Sequence, residues 1–427
     1  MIKDSKDIYQ NKKLLVLGGA QVHVKLIKAA QKLGAYVIAT DNVDYSESPG
    51  KKAADEYWDN DIYDIAGIVE KAKSSGIDAV IAGWLDPCQR PYHDICEALG
   101  LPCYGTKEQF FKLTDKAAFK ELCRQNGVET IPEYSDVDIK NKVVNFPVFV
   151  KPSDSRGSRG QFVCYNYEEL EVAVECAKQE SSNEQAIVEK YIQGSQEFHV
   201  TYFFVDGTPY LVRTSDNYCG SEENNMQKVV SCAIMPSAFT DKYIRTAHQN
   251  VVSMFKNLGL QNGPVFMQGF IDGDAFRFFD PGLRFPGVDF EMVFEEVFGV
   301  SLMEAMVEIA FKGKSSVSIP QDAVYLGGNR GSVLYLTVKA GRVKNILGAE
   351  DVRKMNSVIS FWTRVRVGDT IEWKYNVNQR LAEVDLLAED TCALLSDIKK
   401  INSTVVCLDD YGEDMVFERF DTSRVKR

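Results

Sequence analysis

Histidine is scarce in this chain, four in 427 residues, and the four stand apart from one another. The ten cysteines are equally scattered and include no CxxC pair. Together these exclude a zinc module and a disulfide framework, and they predict reduced cysteines that pack as small hydrophobes. Basic charge is also in short supply, since 49 Lys+Arg against 61 Asp+Glu give a net charge of −12. That sign excludes a general nucleic-acid binder, because phosphate backbones attract basic faces. No apolar run approaches the ~20 residues that span a bilayer. The opening MIKDSKDIYQNKK lacks the apolar stretch of a signal peptide. The expectation is a soluble, cytoplasmic protein without a membrane partner. Internal repeats and low-complexity segments are missing too.

What is present suffices for ordinary cores: hydrophobic residues make up 45% of a length that suggests two to four domains. Lys13–Leu17 (KLLVL) reads as a short strand ended by Gly18-Gly19. Leu26, Ala29, Ala30 and Leu33 then recur at helical spacing up to Gly34. A second strand, Tyr36–Thr40, ends at Asp41. A helix over Ile65–Ala72 leads to a third strand at Ala79–Ala82, and a helix near Tyr92–Leu99 follows. This β-α-β-α-β alternation predicts a parallel sheet covered on both faces. The acid after the second strand suits a dinucleotide fold. GGAQVH, however, lacks the later glycines of GxGxxG, so a pyrophosphate has no obvious backbone approach. Asp41 accordingly reads as a solvated loop acid.

The chain is organised around FPVFVKPSDSRGSRGQF, Phe146 to Phe162. An apolar strand ends on Lys151 and Pro152, and a polar loop with Gly157 and Gly160 follows. Such a loop suits a polyphosphate: glycines let amides approach the anion, hydroxyls donate, and the lysine neutralises charge. The alternative is a solvated basic turn. Upstream, Asp115 can cap a helix that starts at Lys116. A lysine in a first turn opposes the helix dipole, so Lys116 is either a plain surface residue or has an anionic partner. Downstream, Ala186–Glu189 reads as a strand leading into Lys190-Tyr191-Ile192, and Glu197 precedes a strand at His199–Val205. Asp206-Gly207 turns that strand back on Pro209–Arg213. A second hairpin pairs Val265–Ile271 with Ala275–Phe279, with Asp272 and Asp274 read as turn formers. DPGLRFPG and a helical stretch over Phe290–Lys312 follow. After Pro320 come a strand at Ser332–Lys339, another at Val365–Ile371 and a helix at Thr391–Lys400. His199 is expected to be a satisfied strand histidine, and Cys219 has no nearby histidine to activate it.

Together these pieces resemble the ATP-grasp superfamily over nearly the whole chain. The carboxylate–amine ligases are the nearest match: L-amino-acid ligases and the ATP-grasp halves of carbamoyl-phosphate synthetase and biotin carboxylase. The resemblance implies an α/β and α+β fold in three parts. These are an N-terminal parallel-sheet domain over 1–112, a two-lobed ATP-grasp domain over 113–320 with its lid subdomain at about 115–190, and a small α+β domain over 321–427. It also implies roles. Asp115-Lys116 matches the pair whose basic residue reaches the ATP phosphates, and Lys151 matches the strand lysine on the α- and β-phosphates. Ser155, Arg156, Gly157, Ser158 and Gly160 match the lid over the β- and γ-phosphates. Glu189, Lys190, Tyr191 and Ile192 match the adenine hinge, with a carboxylate on the amino group, and Glu197 matches the ribose acid.

The metal motif departs from the family's E-x-N-P-R. Asp280 aligns with its glutamate, Arg284 with its arginine and Gln268 with the upstream ligand, but Gly282 replaces the asparagine. Mg²⁺, or Mn²⁺ in its place, takes one or two carboxylates beside phosphate oxygens, so Asp280 and Gln268 could suffice. The implied reaction joins a small carboxylate to an amine, both amino-acid-like, through an acyl phosphate. Lys151 and Arg284 are the catalytic residues, Arg284 clamping a carboxylate or the transferring phosphoryl. The resembling enzymes are often dimers, which implies a homodimer. Two other readings stand beside this one: a catalytically degenerate ATP-binding protein with a regulatory role, motivated by Gly282, and an NAD enzyme using the N-terminal sheet.

Overall fold

In the computed structural model Lys13–Leu17 is strand β1, its last four residues fully buried. The structure describes residues 8–153, 160–181, 184–192, 196–221, 229–374 and 377–425. Strand β2 (Tyr36–Thr40), strand β3 (Glu56–Trp58) and strand β4 (Ala79–Ile81) complete a parallel sheet in the order β3-β2-β1-β4. Helix α1 (His23–Lys32) lays Leu26, Ile27 and Ala30 against it, as the helical spacing predicts. Continuous apolar strands follow from cover on both faces. Strand β3 was not anticipated, because Glu-Tyr-Trp is only three residues long and carries no alternating run. Asp41 is corrected as well. It is buried, paired with Lys51 Nζ at 3.0 Å, and accepts from the Ser48 hydroxyl at 3.0 Å.

Two further sheets make up the rest. The smaller joins strand β5 (Val148–Pro152), strand β6 (Phe162–Cys164) and strand β7 (Ala186–Lys190) in the antiparallel order β6-β5-β7. The helix Tyr167–Glu180, capped by the Asn166 side chain, covers it and encloses a separate small core around Val148, Val150 and Leu170. The larger sheet has nine strands. Strand β8 (Glu197–Val205) and strand β9 (Thr208–Cys219) form its first hairpin. Asp206 and Gly207 both have positive φ, the backbone that a two-residue hairpin turn requires. Strand β10 (Val230–Met235) lies beside β9. Strand β11 (Gly263–Asp272) pairs with β8 and with strand β12 (Ala275–Gly282).

Strand β13 (Arg330–Val338) pairs with β10, and the strands Arg380–Ala388 and Val358–Thr363 extend the sheet beyond it. The residues expected to form a separate C-terminal module thus continue the central sheet, while their helix Thr391–Thr404 packs over a second core. The strand read at Val365–Ile371 lies instead at Val358–Thr363, with only Thr370–Ile371 extended later. Gly368 at φ +98° turns the chain between them. The stretch Phe290–Lys312 is two helices, broken at Gly299, and the second is capped by Ser301. Asp272 does more than form a turn: its carboxylate takes Lys190 Nζ at 2.8 Å.

Candidate active site

Register places Phe149 opposite Glu189 and Lys151 opposite Ile187, so Lys151 and Glu189 are diagonal neighbours on one face of the small sheet. Lys151 Nζ donates to Glu189 Oε2 at 2.6 Å. The other Glu189 oxygen accepts from Lys120, which also reaches Glu133. Burial would raise the Glu189 pKa, but the ammonium groups of Lys151 and Lys120 outweigh it and hold the carboxyl low. Lys151 is itself lowered, first by burial and then by the like charges of Lys120 and Lys116, against the pull of Glu189. The Glu189 carboxylate expected at the adenine amino group is therefore committed to two lysines. Sequence reading missed Lys120, whose one signal is its position four residues after Lys116 on the same helix face.

Lys116 opens the helix Lys116–Gln125, with the Asp115 side chain accepting from Ala118 N at 2.8 Å. Among the described residues its ammonium has no ion-pair partner. In the hinge, the Lys190 and Tyr191 amides donate to the Pro132 and Pro147 carbonyls. Ile192 is left as the hinge amide without an acceptor among the described residues. Lys190 itself turns away to Asp272. Ser155, Arg156, Gly157 and Ser158 lie outside the described residues. Gly160 is described: at φ +66°, any Cβ there would lie 2.8 Å from Pro152 Cγ, so the chain returning to β6 needs a glycine.

On the large sheet, the register sets Asp280 directly opposite Gln268, Gln268 opposite His199, and His199 opposite Ser215. Directly opposed residues share a face, so this is one polar row across four strands. Asp280 and Gln268 make no side-chain hydrogen bond among the described residues. Burial pushes the Asp280 pKa up to about 6, reinforced by Asp86 and opposed by Arg284, Lys116 and Lys151. Lys151 of the small sheet and Lys116 of the helix Lys116–Gln125 therefore act electrostatically on the acid of the large sheet. Gly282 faces Phe266 across the hairpin, and a Cβ at 282 would lie 2.3 Å from that ring. The Phe266 ring fills the space that a side chain at 282 would take.

Arg284 is buried and forked onto Asp86, its Nη2 donating at 2.6 Å, and its guanidinium stands 4.7 Å from the Phe266 ring centroid. Asp86, at the start of the helix Asp86–Leu99, was not anticipated as a site residue; Asp86-Pro87 signals only a helix start. Glu197 bonds His199 Nε2 at 2.6 Å and accepts from the Cys219 thiol at 3.4 Å. Desolvation lowers the His199 pKa and keeps it a neutral strand histidine, and burial raises the Cys219 thiol, which leaves it a poor nucleophile.

A Mg²⁺ ion needs hard oxygen donors and keeps several waters. One carboxylate and one amide oxygen, side by side and unengaged, fit that demand beside phosphate oxygens. Lys116 and Lys151 fit the phosphates, and the Ile192 amide fits an adenine edge. Residues 115–313 match the family model described as carbamoyl-phosphate synthase L chain, ATP binding domain. Over that span the chain is similar to this ATP-binding domain.

Among curated relatives of this chain is the 2-oxoglutarate carboxylase small subunit of Hydrogenobacter thermophilus. It is 28% identical over 243 residues, 52% of this chain and 51% of that protein. The chain spans about half the length of the first curated relatives it matches. Among solved structures, the L-amino acid ligase from Bacillus licheniformis superposes with a TM-score of 0.74 at 15% identity, covering 94% of this chain and 99% of that one. The biotin carboxylase domain of the Hydrogenobacter thermophilus enzyme, solved as a dimer with MgADP, ADP and bicarbonate, gives 0.74 at 21% identity over 92% of this chain and 89% of that one. These structures share the fold. No helix among the described residues is long and apolar enough to cross a membrane.

Proposed function

We propose that this chain is an ATP-dependent ligase that joins a small carboxylate to an amine, releasing ADP and phosphate. One observation carries the reading: Asp280 and Gln268 stand unengaged and opposed within electrostatic reach of Lys116 and Lys151. In the first step a substrate carboxylate oxygen bonds to the γ-phosphorus of ATP and the bond to the bridging β,γ oxygen breaks, giving an acyl phosphate. In the second, an amine lone pair attacks the acyl carbon, phosphate leaves, and the nitrogen loses a proton. The protein's part in the first step is positioning and charge. Lys151, oriented by Glu189, and Lys116 neutralise phosphate oxygens. Mg²⁺, held by Asp280 and Gln268, would supply Lewis-acid polarisation of those oxygens. Arg284 is oriented by Asp86 and fixes the carboxylate end of the cleft. Glu189 is a positioning residue in this scheme, and adenine recognition falls to the main chain at Ile192.

Product analysis tests the proposal. ADP and phosphate should appear only when a carboxylate is supplied, and Lys151→Ala should abolish both. ADP formation at the wild-type rate in that variant would overturn it. Gly282 supports a second reading, a nucleotide-binding protein without turnover. That reading is adopted if an ATP analogue binds but no small carboxylate, alone or paired with an amine, elicits ADP.

A further inference from the structure

Three stretches of the N-terminal part meet at the β3 edge of its parallel sheet. They are the turn after β2, β3 itself, and the loop that runs from β3 to the helix Ile65–Ser75. The rings of Tyr45 and Tyr57 stand 4.9 Å apart, and Asn42 Nδ2 donates to Asp61 at 2.8 Å. Beneath them the enclosed Lys51 ammonium donates to the Val43 carbonyl at 2.5 Å and to Asp59 at 2.7 Å. The stretches therefore form one surface held from below rather than three independent loops.

Aromatic exposure and charge set this surface apart. Tyr36, Tyr45, Tyr57 and Tyr63 are 40–60% exposed, four of the seven exposed tyrosines among the described residues. Single exposed rings are ordinary, whereas a group of them marks a contact surface. From Asp44 to Asp64 seven acids reach the surface against one cation, Lys52, because Lys51 is enclosed. Acids can guard a sheet edge against aggregation, but guarding does not call for four tyrosines. The edge is open as well: β3 pairs only with β2 among the described residues. Asp55 N donates to the Val37 carbonyl at 2.9 Å, so alternation turns the amide and carbonyl of Glu56 away from β2. A second copy of this chain is a poor occupant, because a two-fold contact sets the same acids against each other.

We propose that the β3 edge docks a partner protein through an extended segment rich in arginine or lysine. The segment lies along β3 with its main chain paired to Glu56, in the manner of an added strand. Its cations meet the surrounding acids, and its guanidinium groups or stems lie on the Tyr45 and Tyr57 rings. Tyrosine suits such a contact, having a large apolar body, a hydroxyl at the tip and few rotamers to freeze. Asp86, which holds Arg284, follows β4 at the opposite edge of the same sheet. Occupancy of β3 therefore leaves the proposed nucleotide site open, and neither function depends on the other.

Fluorescence anisotropy of labelled decapeptides titrated with the full chain tests this. An alternating Arg-Thr peptide should bind saturably, about tenfold or more tighter than an alternating Glu-Thr peptide, and should weaken as salt rises. The Arg-Thr peptide methylated at every backbone nitrogen keeps its charge but has no amide to donate, and should bind about tenfold more weakly. Tyr57→Ser and Glu56→Lys should each weaken the Arg-Thr peptide about tenfold, with melting temperature and ATP-analogue affinity unchanged. Glu171→Lys changes net charge by the same amount on a distant exposed helix face and should leave the affinity as it is. Absence of Arg-Thr binding would refute the proposal, as would full affinity in the methylated peptide or in a cooperatively melting Tyr57→Ser protein. Equal weakening by Glu171→Lys would reduce the effect to general charge attraction and refute it too. Sedimentation of the full chain covers the remaining occupant: a dimer that Tyr57→Ser dissociates would assign the edge to a second copy and overturn the basic partner.

Discussion

Glu189 holds the ammonium groups of Lys120 and Lys151 in a part of the small sheet that is nearly closed to water, its own side chain being 2% exposed. Removing one partner of a buried ion pair is costly because the other charge stays behind unpaired, and two ammonium groups would stay behind here. Glu189→Gln should therefore lower the unfolding free energy by about 3–5 kcal/mol near neutral pH. The folded carboxyl lies below its ordinary value of 4.5, so its stabilisation is complete above that value. It is lost as pH falls through the depressed folded pKa. Urea unfolding of both proteins across that range should show the gap closing at the acid end. A gap that stays constant with pH would mean that the pair does not titrate as described. The same residue shows where sequence reading stops. The strand and its position before the hinge were legible from an apolar run. The carboxylate's partner was not, because Lys120 lies 69 residues away and nothing local announces the meeting.

At the scale of the element, the hairpin of β11 and β12 sets both the Asp280–Gln268 pair proposed to hold the metal and the close approach of Gly282 to Phe266. Alternation and the turn residues made the hairpin readable, but the turn alone would set Gln268 opposite Phe279; a bulge between Gln268 and Gly269 shifts the register and brings Asp280 opposite Gln268. Gly282 could be seen as a missing ligand in the sequence, but its cause could not, since the ring that fills the space belongs to Phe266 on the partner strand. Its φ is not positive, so space rather than backbone conformation demands the glycine. Gly282→Ala should destabilise by about 1–3 kcal/mol through overpacking, and Phe266→Leu in the same chain should recover much of that loss. A double-mutant cycle in urea measures the coupling. Additive effects would show that the ring and the glycine do not constrain each other. The opposite error arose at Val365–Ile371, where an alternating run looked like a strand. The turn at Gly368 and the burial of Val365 alone make it a connection.

The whole molecule is tied together at the site rather than merely around it. Arg284 of the central domain is forked onto Asp86 of the N-terminal domain, and Phe285 N donates to the Gly83 carbonyl at 3.1 Å. Trp84 packs on Phe285 with ring centroids 5.2 Å apart, and one continuous core runs from β1 through β8 and β11. Lys25 then carries N-terminal charge into acids contributed by the C-terminal strands. These links join residues up to 358 positions apart, which is why local elements were legible along the chain while their meeting was not. Residues 113–427 expressed alone would bare Arg284, Asp289 and Asp385 without their partners, together with the apolar face that meets Trp84. Unpaired buried charge and lost core contact each exceed the usual margin of a domain when several coincide. The fragment should therefore show no cooperative calorimetric transition and should bind a hydrophobic dye, whereas the full chain should melt cooperatively and exclude it. A fragment that melts sharply near the temperature of the full chain would show that the N-terminal domain rests on the site without supporting it.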